Sequence, residues 1–417
     1  MLEAGFIWRP QMRKPDLNVR IAVTGAGIIC SIGCNKEEVW RSIVEARAGI
    51  GKLTRFPGET FPTDLAAEVT EELDDMLPIG KREARRMSRT DLLAVIAANE
   101  AIEQANQGPS PLPLARAIVS TGTSTGGLLE GEDYFFKRIV VGRRRAAPSL
   151  VLQQPTSGPS DAVASAFKLA GGVISNATAC ASAGAAIGMA ADYLRSRHAD
   201  VAVAGGSDAL CRLTYSGFNA LQAVDPEPCS PFGSERKGIT LGEGAAYLVL
   251  ERWDDAVARG ATIIAEFCGY GASCDAHHPT APAEDGRGAV SAMRGALAES
   301  GSAQVDYVNA HGTGTLLNDS SETRAIISAI GTEVPVSSSK SYFGHTLGAA
   351  GGIEAVITVL AIINQTAPPT LRLNSAAADC TLDYIPHTPR PMPMTSVLSN
   401  TFGFGGSNVS LMFRRVL

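Results

Sequence analysis

The sequence predicts an α/β fold with buried sheets, because strand-like runs alternate along it with helical stretches. Residues 19–24 form a β-branched run followed by Gly25 and Gly27, a pattern typical of a buried strand that enters a tight turn. Alanine-rich helical stretches separate this run from similar apolar runs at 115–120, 201–204 and 247–250. Such alternation is typical of sheets that are covered by helices on both faces.

The later part of the chain continues the alternation. Its candidates are strands at 262–270, 307–310 and 409–413 and a helix at 351–363. No proline- or serine-rich linker separates independent units, and the only seam lies near Gly271. We therefore expect an N-terminal arm at 1–18 and two closely packed halves at 19–270 and 271–417.

Composition narrows the class of protein. The 417 residues carry a net charge of −6, which argues against nucleic acid as the main partner. Eight cysteines are scattered without a C-x-x-C pair, so we expect free thiols in the cytoplasm and no metal site. The N-terminus lacks the apolar stretch of a signal peptide. The apolar run at 348–363 contains Glu354 and is too short to span a bilayer, so it predicts a buried helix.

Cys180 is the first candidate for chemistry. Residues 175–186 pass from a strand-compatible segment through Cys180 into an alanine-rich helix. A thiol at a helix N-terminus faces the positive end of the helix dipole, which stabilises the thiolate and activates it as a nucleophile. The alternative is a buried, inert cysteine, which is the commoner situation.

Two histidines lie in loops next to apolar segments. His311 belongs to Asn-Ala-His-Gly-Thr-Gly-Thr at 309–315, where a strand ends in a glycine-threonine loop. An imidazole in such a loop can donate or accept a proton. His345 follows Lys340 by five residues and precedes the apolar helix. Taken alone, either could be a structural histidine.

A glycine-rich loop near the C-terminus carries two phenylalanines. Residues 400–408 read Asn-Thr-Phe-Gly-Phe-Gly-Gly-Ser-Asn and include Phe402 and Phe404. Such a loop can move, and its backbone N–H groups can face an oxyanion. The alternative is a plain glycine-rich turn.

Together and in this order, these motifs resemble the β-ketoacyl-acyl-carrier-protein synthases, the elongating ketosynthases of the thiolase-like superfamily and of type II polyketide synthesis. Further matching motifs are Ala-Gly-Gly-Ser-Asp at 204–208, Ser-Pro-Phe at 230–232 and Leu-Gly-Glu-Gly at 241–244. The resemblance runs from about residue 19 to residue 413. It implies a thiolase-like fold, a five-layered αβαβα sandwich of two duplicated halves, with Cys180 in the first half and both histidines in the second.

The resemblance implies a decarboxylative Claisen condensation. Cys180 would accept the acyl chain from the phosphopantetheine of an acyl carrier protein, and His311 and His345 would stabilise the enolate formed from malonyl-carrier protein. Backbone N–H groups of Cys180 and Phe404 would form the oxyanion hole, and Lys340 would hold the histidines in register. No cofactor beyond the carrier's own arm is implied.

The resemblance also assigns supporting residues. Glu354 would be the buried charge partner of Lys340, and Asp319 and Glu322 would stiffen the glycine-threonine loop, although all three acids could equally be structural ion partners. The substrate-binding residues that it implies are Thr313 and Thr315 on the malonyl side, Phe404 as a gate with Phe402 beside it, and Thr125 at the far wall of the acyl pocket, a wall that is usually supplied across the dimer.

Three positions depart from the family pattern. Leu316 stands where proline is frequent, Gly233 stands where an acidic residue is common, and Thr125 stands where a bulkier aliphatic side chain is usual. A polar residue at 125 makes a saturated fatty chain a less obvious substrate, so fatty acid and polyketide or polyene pathways both remain open. The implied partners are an acyl carrier protein, the acyl and malonyl thioesters, and a second subunit. That subunit is either a copy of this chain or a cysteine-less, chain-length-factor-like chain.

Other functions remain open at this point. A catalytically silent, chain-length-factor-type subunit would share the fold, although such subunits typically lack the cysteine. Gly122-Thr-Ser124-Thr-Gly126 matches the G-x-S-x-G pattern of serine hydrolases, but no clear helix follows it. The glycines near residue 25 lack the third glycine of a dinucleotide-binding loop. A thiolase or an initiating synthase is possible within the fold, but the two-histidine pattern favours elongation.

Overall fold

In the first half of the chain, five strands belong to the main sheet, two short strands pair separately, and helices lie between them. A computed structural model describes residues 14–56, 61–142, 146–302 and 304–416. The strands are β1 (Ile21–Cys30), β2 (Gly51–Lys52), β3 (Leu65–Ala66), β4 (Ala117–Gly122), β5 (Gly172–Asn176), β6 (Val201–Asp208) and β7 (Gly244–Arg252). The helices are α1 (Lys36–Val44), α2 (Lys81–Ala84), α3 (Arg89–Ala105), α4 (Leu128–Phe136), α5 (Gly158–Phe167), α6 (Ser182–Arg195), α7 (Arg212–Ala220) and α8 (Trp253–Ala258).

The second half repeats the plan. Its strands are β8 (Ala265–Cys274), β9 (Tyr307–Asn309), β10 (Val336–Ser337), β11 (Thr366–Ala367), β12 (Arg390–Pro391), β13 (Ser396–Gly403) and β14 (Ser407–Arg414). Its helices are α9 (Arg287–Ser300), α10 (Leu316–Ala329), α11 (Lys340–Phe343) and α12 (Ala350–Asn364). Three short 3₁₀ turns matter for the site, and they are Ala179–Ala181, Leu347–Ala349 and Phe404–Gly406.

The strand order demonstrates the duplication. The first half runs β5-β4-β6-β7-β1 and the second runs β10-β9-β13-β14-β8. Numbered within each half, both orders are 3-2-4-5-1. A short antiparallel pairing between Ile21–Val23 of β1 and Ala265–Phe267 of β8 joins the two five-stranded sheets. The predicted pair of duplicated halves is therefore confirmed.

Five layers follow from the packing of the helices. Helices α3 and α5 cover the outer face of the first sheet, and α9, with α10 packed against it, covers the outer face of the second. Between the sheets lie α6 and α12, each of which contacts strands of both halves. The predicted αβαβα sandwich is confirmed, and its core is the apolar surface that α6 and α12 bury on both sides.

The apolar run predicted as a buried helix is α12, whose residues from Ala350 to Ile362 are all buried. Contrary to the sequence-based expectation, the stretch Leu347–Asn364 is long and apolar enough to cross a membrane by composition. It is the one such helix among the described residues, and 89% of it is buried inside the protein. Burial on both faces by the two sheets explains its composition.

Gly25 and Gly27 do not form the tight turn that the sequence predicts. They lie inside β1, which continues to Cys30. A Cβ atom at either position would lie 2.0 Å from a backbone carbonyl oxygen of α3, that of Ala101 or Ala97. These glycines therefore allow strand and helix backbones to pack closely, and they form no phosphate-binding loop.

The predicted boundary at 270/271 also needs revision. Gly271 lies inside β8, which pairs along its length with β14. A continuous, hydrogen-bonded strand belongs to one unit, so the second half begins before Ala265. Of the predicted arm at 1–18, residues 1–13 lie outside the described residues, and residues 14–18 are exposed and form a turn.

Candidate active site

Cys180 lies between β5 and α6, in the 3₁₀ turn Ala179–Ala181. Ala179 has a φ of 50°, in the left-handed region that a non-glycine residue rarely adopts, so the backbone turns sharply at the cysteine. The cysteine is 6% exposed. Gly403 packs so closely here that a Cβ atom on it would lie 3.0 Å from the Cys180 nitrogen. The fold thus presents a buried thiol against the loop that carries Phe404.

The thiol is not the low-pKa group that the sequence predicts. Burial raises the pKa of Cys180 to about 11, against the opposing effects of the Lys340 charge and of the backbone N–H groups of Phe404 and Cys180 itself. Helix α6 begins two residues later, at Ser182. Because desolvation outweighs the charge and the N–H groups, the resting group at neutral pH is a thiol.

The two predicted histidines lie side by side in the second half. The His311 and His345 ring centroids are 5.3 Å apart, with planes at 84°. The Lys340 ammonium donates to Nδ1 of His311 at 3.2 Å, and the Leu347 N–H donates to Nδ1 of His345 at 3.2 Å. Each partner occupies the lone pair of Nδ1, so the hydrogen-bond network assigns the proton of both neutral rings to Nε2.

Both imidazoles are neutral at physiological pH. Burial and the nearby Lys340 charge hold the pKa values of His311 and His345 well below 6.5, and His345 lowers that of His311 further. Two neutral Nε2–H donors therefore lie in one buried space. They can stabilise negative charge on an oxygen without the desolvation cost of buried cations.

Lys340 lies between His311 and Glu354. Its ammonium forms a buried ion pair with Oε1 of Glu354, and the Thr401 hydroxyl donates to Oε2 at 3.4 Å. Burial raises the pKa of Glu354 to about 7, although the Lys340 charge opposes this rise. The three groups form one buried chain from carboxylate to ammonium to imidazole, as the sequence predicts for their placement.

Glu322 and Asp319 hold the glycine-threonine loop from α10. The two Glu322 oxygens accept from the N–H groups of His311 at 2.8 Å and Gly312 at 2.7 Å. Asp319 accepts from the N–H of Gly314 at 3.2 Å and from that of Phe232 at 2.7 Å. Both carboxylates therefore bind backbone donors of this loop or of the segment packed against it.

One cavity of about 310 Å³ brings most of the predicted residues together. Its lining includes Cys180, His311, Thr313, Thr315, His345, Phe402 and Phe404. The lining is mostly apolar, and Phe218 of α7 stacks on Phe404 with ring centroids 5.4 Å apart. Sequence reasoning missed Phe218, because nothing in its local sequence distinguishes it from a core phenylalanine.

Thr125 does not line this cavity. Its hydroxyl donates to Oδ1 of Asp208 at 2.7 Å. Ser124, the serine-hydrolase alternative, has a buried hydroxyl with no hydrogen-bond partner among the described residues, and its N–H donates to Asp208. A hydrolytic serine requires a base within hydrogen-bonding reach, so the geometry gives that alternative no support.

Comparisons with known proteins agree with this geometry. The model of the β-ketoacyl synthase N-terminal domain matches residues 18–256, and the model of the β-ketoacyl synthase C-terminal domain matches residues 264–374. The chain is 39% identical over 408 residues to a 3-oxoacyl-[acyl-carrier-protein] synthase 2 of Synechocystis, covering 95% of this chain and 98% of the relative. It is 38% identical to nodulation protein E of Rhizobium meliloti, covering 95% and 99%.

Solved structures are similar over almost the whole chain. The ishigamide ketosynthase/chain length factor superposes with a TM-score of 0.90 at 33% identity, covering 96% of this chain and 100% of that one. A type II polyketide ketosynthase, AntDE, in complex with its acyl carrier protein AntF gives a TM-score of 0.85 at 29% identity, covering 97% and 100%.

Proposed function

Because the chain belongs to the β-ketoacyl synthase family and is a 3-oxoacyl-carrier-protein synthase, we propose that Cys180 carries the acyl chain while His311 and His345 act on the malonyl unit. The observation that carries this assignment is the shared cavity. It brings a buried thiol together with two imidazoles whose Nε2 protons are free to donate.

The first half-reaction is acyl transfer. The Cys180 sulfur attacks the acyl thioester, a new sulfur–carbon bond forms, and the phosphopantetheine thiolate leaves and takes up the proton of the Cys180 thiol. The oxyanion of the tetrahedral intermediate lies against the N–H groups of Cys180 and Phe404, the two donors beside the sulfur. A pKa of about 11 keeps the free enzyme as a thiol, so deprotonation accompanies attack.

The second half-reaction is decarboxylation and condensation. The bond between the malonyl α-carbon and its carboxylate breaks, CO₂ leaves, and the electron pair forms an enolate whose oxygen accepts from Nε2–H of His311 and His345. The enolate carbon attacks the acyl carbon on Cys180, the bond between that carbon and the cysteine sulfur breaks, and the departing thiolate takes up a proton from solvent water. Neutral histidines suit this step, because a buried cationic pair would hold the substrate carboxylate as tightly as the transition state.

An acyl carrier protein delivers both thioesters. The complex of AntDE with its carrier AntF, at 29% identity, supports this partner. Leu316 and Leu317 line the cavity, are 59% and 62% exposed and form an apolar part of its rim, next to which the exposed Gln222 and Lys237 also line it. Such a rim suits the apolar portion of a carrier-borne arm.

A second subunit covers the edge of β5. This strand ends the ten-stranded sheet and has no partner on its outer side among the described residues. Val173 on β5 and Met189 and Tyr193 on α6 are exposed beside it. An unpaired strand next to exposed apolar side chains is typical of a surface that a partner completes. The ketosynthase ApeO with its chain length factor ApeC, at 29% identity, supports a heterodimer, and a copy of this chain would bind through the same edge.

Intact-mass spectrometry tests the nucleophile. The protein is incubated with acyl-carrier protein, and we expect one acyl mass on the wild type and on Cys34→Ala, and none on Cys180→Ala. Cys34 is a suitable control because it is a half-buried free cysteine outside the cavity. Acylation of Cys180→Ala, or no acylation of the wild type, would refute the assignment. The second result would point to a silent, chain-length-factor-type subunit.

A further inference from the structure

Asp208 is a fully buried carboxylate that the proposed mechanism does not use. It ends β6, and it takes part in no ion pair among the described residues. Its Oδ1 accepts from the hydroxyls of Thr123 and Thr125, both at 2.7 Å, and from the Thr125 N–H at 2.9 Å. Its Oδ2 accepts from the N–H groups of Ser124 at 2.8 Å and Gly348 at 2.6 Å. Five donors therefore hold one buried charge in place.

The Gly348 contact joins the first half to the turn that follows His345. Gly348 belongs to the 3₁₀ turn Leu347–Ala349, which leads into α12. Leu347 has a φ of 52°, a left-handed conformation that a leucine adopts only where its surroundings enforce it. The N–H of Leu347 is the group that donates to Nδ1 of His345. Leu347, which has the strained backbone and donates to His345, is therefore the direct neighbour of Gly348, which donates to Asp208.

The backbone around Gly348 is packed too closely for the turn to move. A Cβ atom at this position would lie 2.5 Å from the Ser124 nitrogen and 2.6 Å from Oδ2 of Asp208. The loop Thr123–Thr125 and the turn after His345 therefore press against each other, and the carboxylate lies between their backbone donors. Loss of that acceptor would leave two N–H groups facing each other without a partner.

We propose that Asp208 is a positioning residue for His345. By accepting from Gly348 and Ser124 it fixes the turn at Leu347, so that the Leu347 N–H occupies Nδ1 of His345 and leaves the Nε2 proton for the enolate oxygen. The inference rests on the proposed function of His345 and adds the element of the first half that prepares this histidine.

Asp208→Asn tests the inference, because an asparagine amide must turn its NH₂ group either toward the N–H groups of Ser124 and Gly348 or toward the Thr125 N–H and the two threonine hydroxyls. We expect the decarboxylation of malonyl-carrier protein to fall by about 100-fold, the size expected for a displaced catalytic group. Acyl transfer to Cys180, followed by intact mass, should not fall, because the Asp208 charge helps to raise the pKa of the Cys180 thiol and its removal favours the thiolate. The acid limb of the decarboxylation pH profile should also move to higher pH, because His345 loses the donor that opposes its protonation while His311 and Lys340 remain beside it.

Glu251→Gln is the matched control. Glu251 is a buried carboxylate at the opposite end of the β6–β7 pairing, where it accepts from Arg259 Nε at 2.6 Å. This substitution should lower stability without separating the two half-reactions or moving the acid limb. Gly348→Ala disturbs the same hydrogen bond at its donor. It serves as the second variant if Asp208→Asn folds poorly, and it should likewise slow decarboxylation much more than acyl transfer.

Two results would overturn the proposal. One is an Asp208→Asn enzyme that decarboxylates at the wild-type rate. The other is a pair of variants, Asp208→Asn and Gly348→Ala, that lose acyl transfer and decarboxylation by the same factor with an unshifted acid limb. A wild-type protein that neither takes up an acyl group nor releases CO₂ would instead refute the proposed function.

Discussion

The two halves of the chain share one strand order but hold their chemical groups differently. In the second half, the loop after the second strand carries His311, and Glu322 of the same half binds its backbone. In the first half, the equivalent loop, Thr123–Thr125, is bound by Asp208, which also reaches the turn of the other half at Gly348. A duplicated scaffold therefore supplies two similar carboxylate-bound loops, of which only one carries an imidazole.

The third strands differ in the same way. The loop after β5 carries the thiol of Cys180, and the segment after β10 carries Lys340 and His345. The same structural position therefore holds Cys180 in the first half and His345, with its neighbour Lys340, in the second. The difference teaches that the duplication provides the positions, while burial and charge decide the chemistry. A raised thiol pKa in the first half and lowered imidazole pKa values in the second both follow from desolvation.

The largest expected effect lies in the buried ion pair of the second half. Lys340→Met leaves the Glu354 carboxylate buried without its cation, so we expect the free energy of unfolding to fall by about 3–5 kcal/mol. Urea denaturation at pH 8 measures it. The double variant Lys340→Met, Glu354→Met should recover most of the loss, and a double variant as unstable as the single one would contradict the pairing.

The next effect separates the two half-reactions. His311→Ala and His345→Ala each remove one neutral donor, so decarboxylation should fall by about 10²–10³-fold, as for other donors to a developing oxyanion. Release of labelled CO₂ from malonyl-carrier protein measures this rate. Decarboxylation at the wild-type rate in both variants would show that the second half does not handle the malonyl unit.

A third prediction concerns the thiol of the first half. Because its pKa is raised to about 11, the thiolate fraction at pH 7 is small and grows about tenfold with each pH unit up to that pKa. The rate of Cys180 alkylation by iodoacetamide should therefore rise about tenfold per unit between pH 7 and pH 9. A rate that is constant across this range would indicate a preformed thiolate.

The smallest effect is expected where α7 meets the Phe404 loop. Phe218→Ala removes the ring stacked on Phe404, a contact of about 0.5–1.5 kcal/mol. We expect acyl transfer to slow by several-fold and decarboxylation to change less, because the histidines are held by other contacts. Rapid-quench acylation followed by intact mass gives the first rate and release of labelled CO₂ gives the second, and an equal loss in the two would argue against a role of this stacking in acyl transfer.

The layered fold and the gathering of Cys180, His311, Lys340, His345 and Phe404 could be predicted from the sequence, because its short motifs, in their order, resemble the β-ketoacyl synthase family, which implies both. The sequence does not predict the role of Gly25 and Gly27, since only the approach of α3 shows that a side chain would collide there. The seam at Gly271 fails for a similar reason, because the pairing of β8 with β14 is a long-range contact.

Electrostatic details are the other limit of the sequence. The position of Cys180 near a helix start predicts a low pKa. Its desolvation depends on every segment packed around it, and this effect is the largest one and raises the pKa. Asp208 is visible in the motif at 204–208, yet its five donors come from two loops that are 83 to 85 and 140 positions away. The hydrogen bond from Thr125 to Asp208 likewise cannot be predicted from the local sequence, because it joins residues that only the fold brings together.

The division of labour between the halves is tested most directly by measuring acyl uptake and CO₂ release on the same two variants. Cys180→Ala should take up no acyl group and still release CO₂ from malonyl-carrier protein, because His311 and His345 are intact. His311→Ala should take up the acyl group and release CO₂ about 10²–10³-fold more slowly than the wild type. Loss of both activities in both variants would contradict the assignment of one half-reaction to each half.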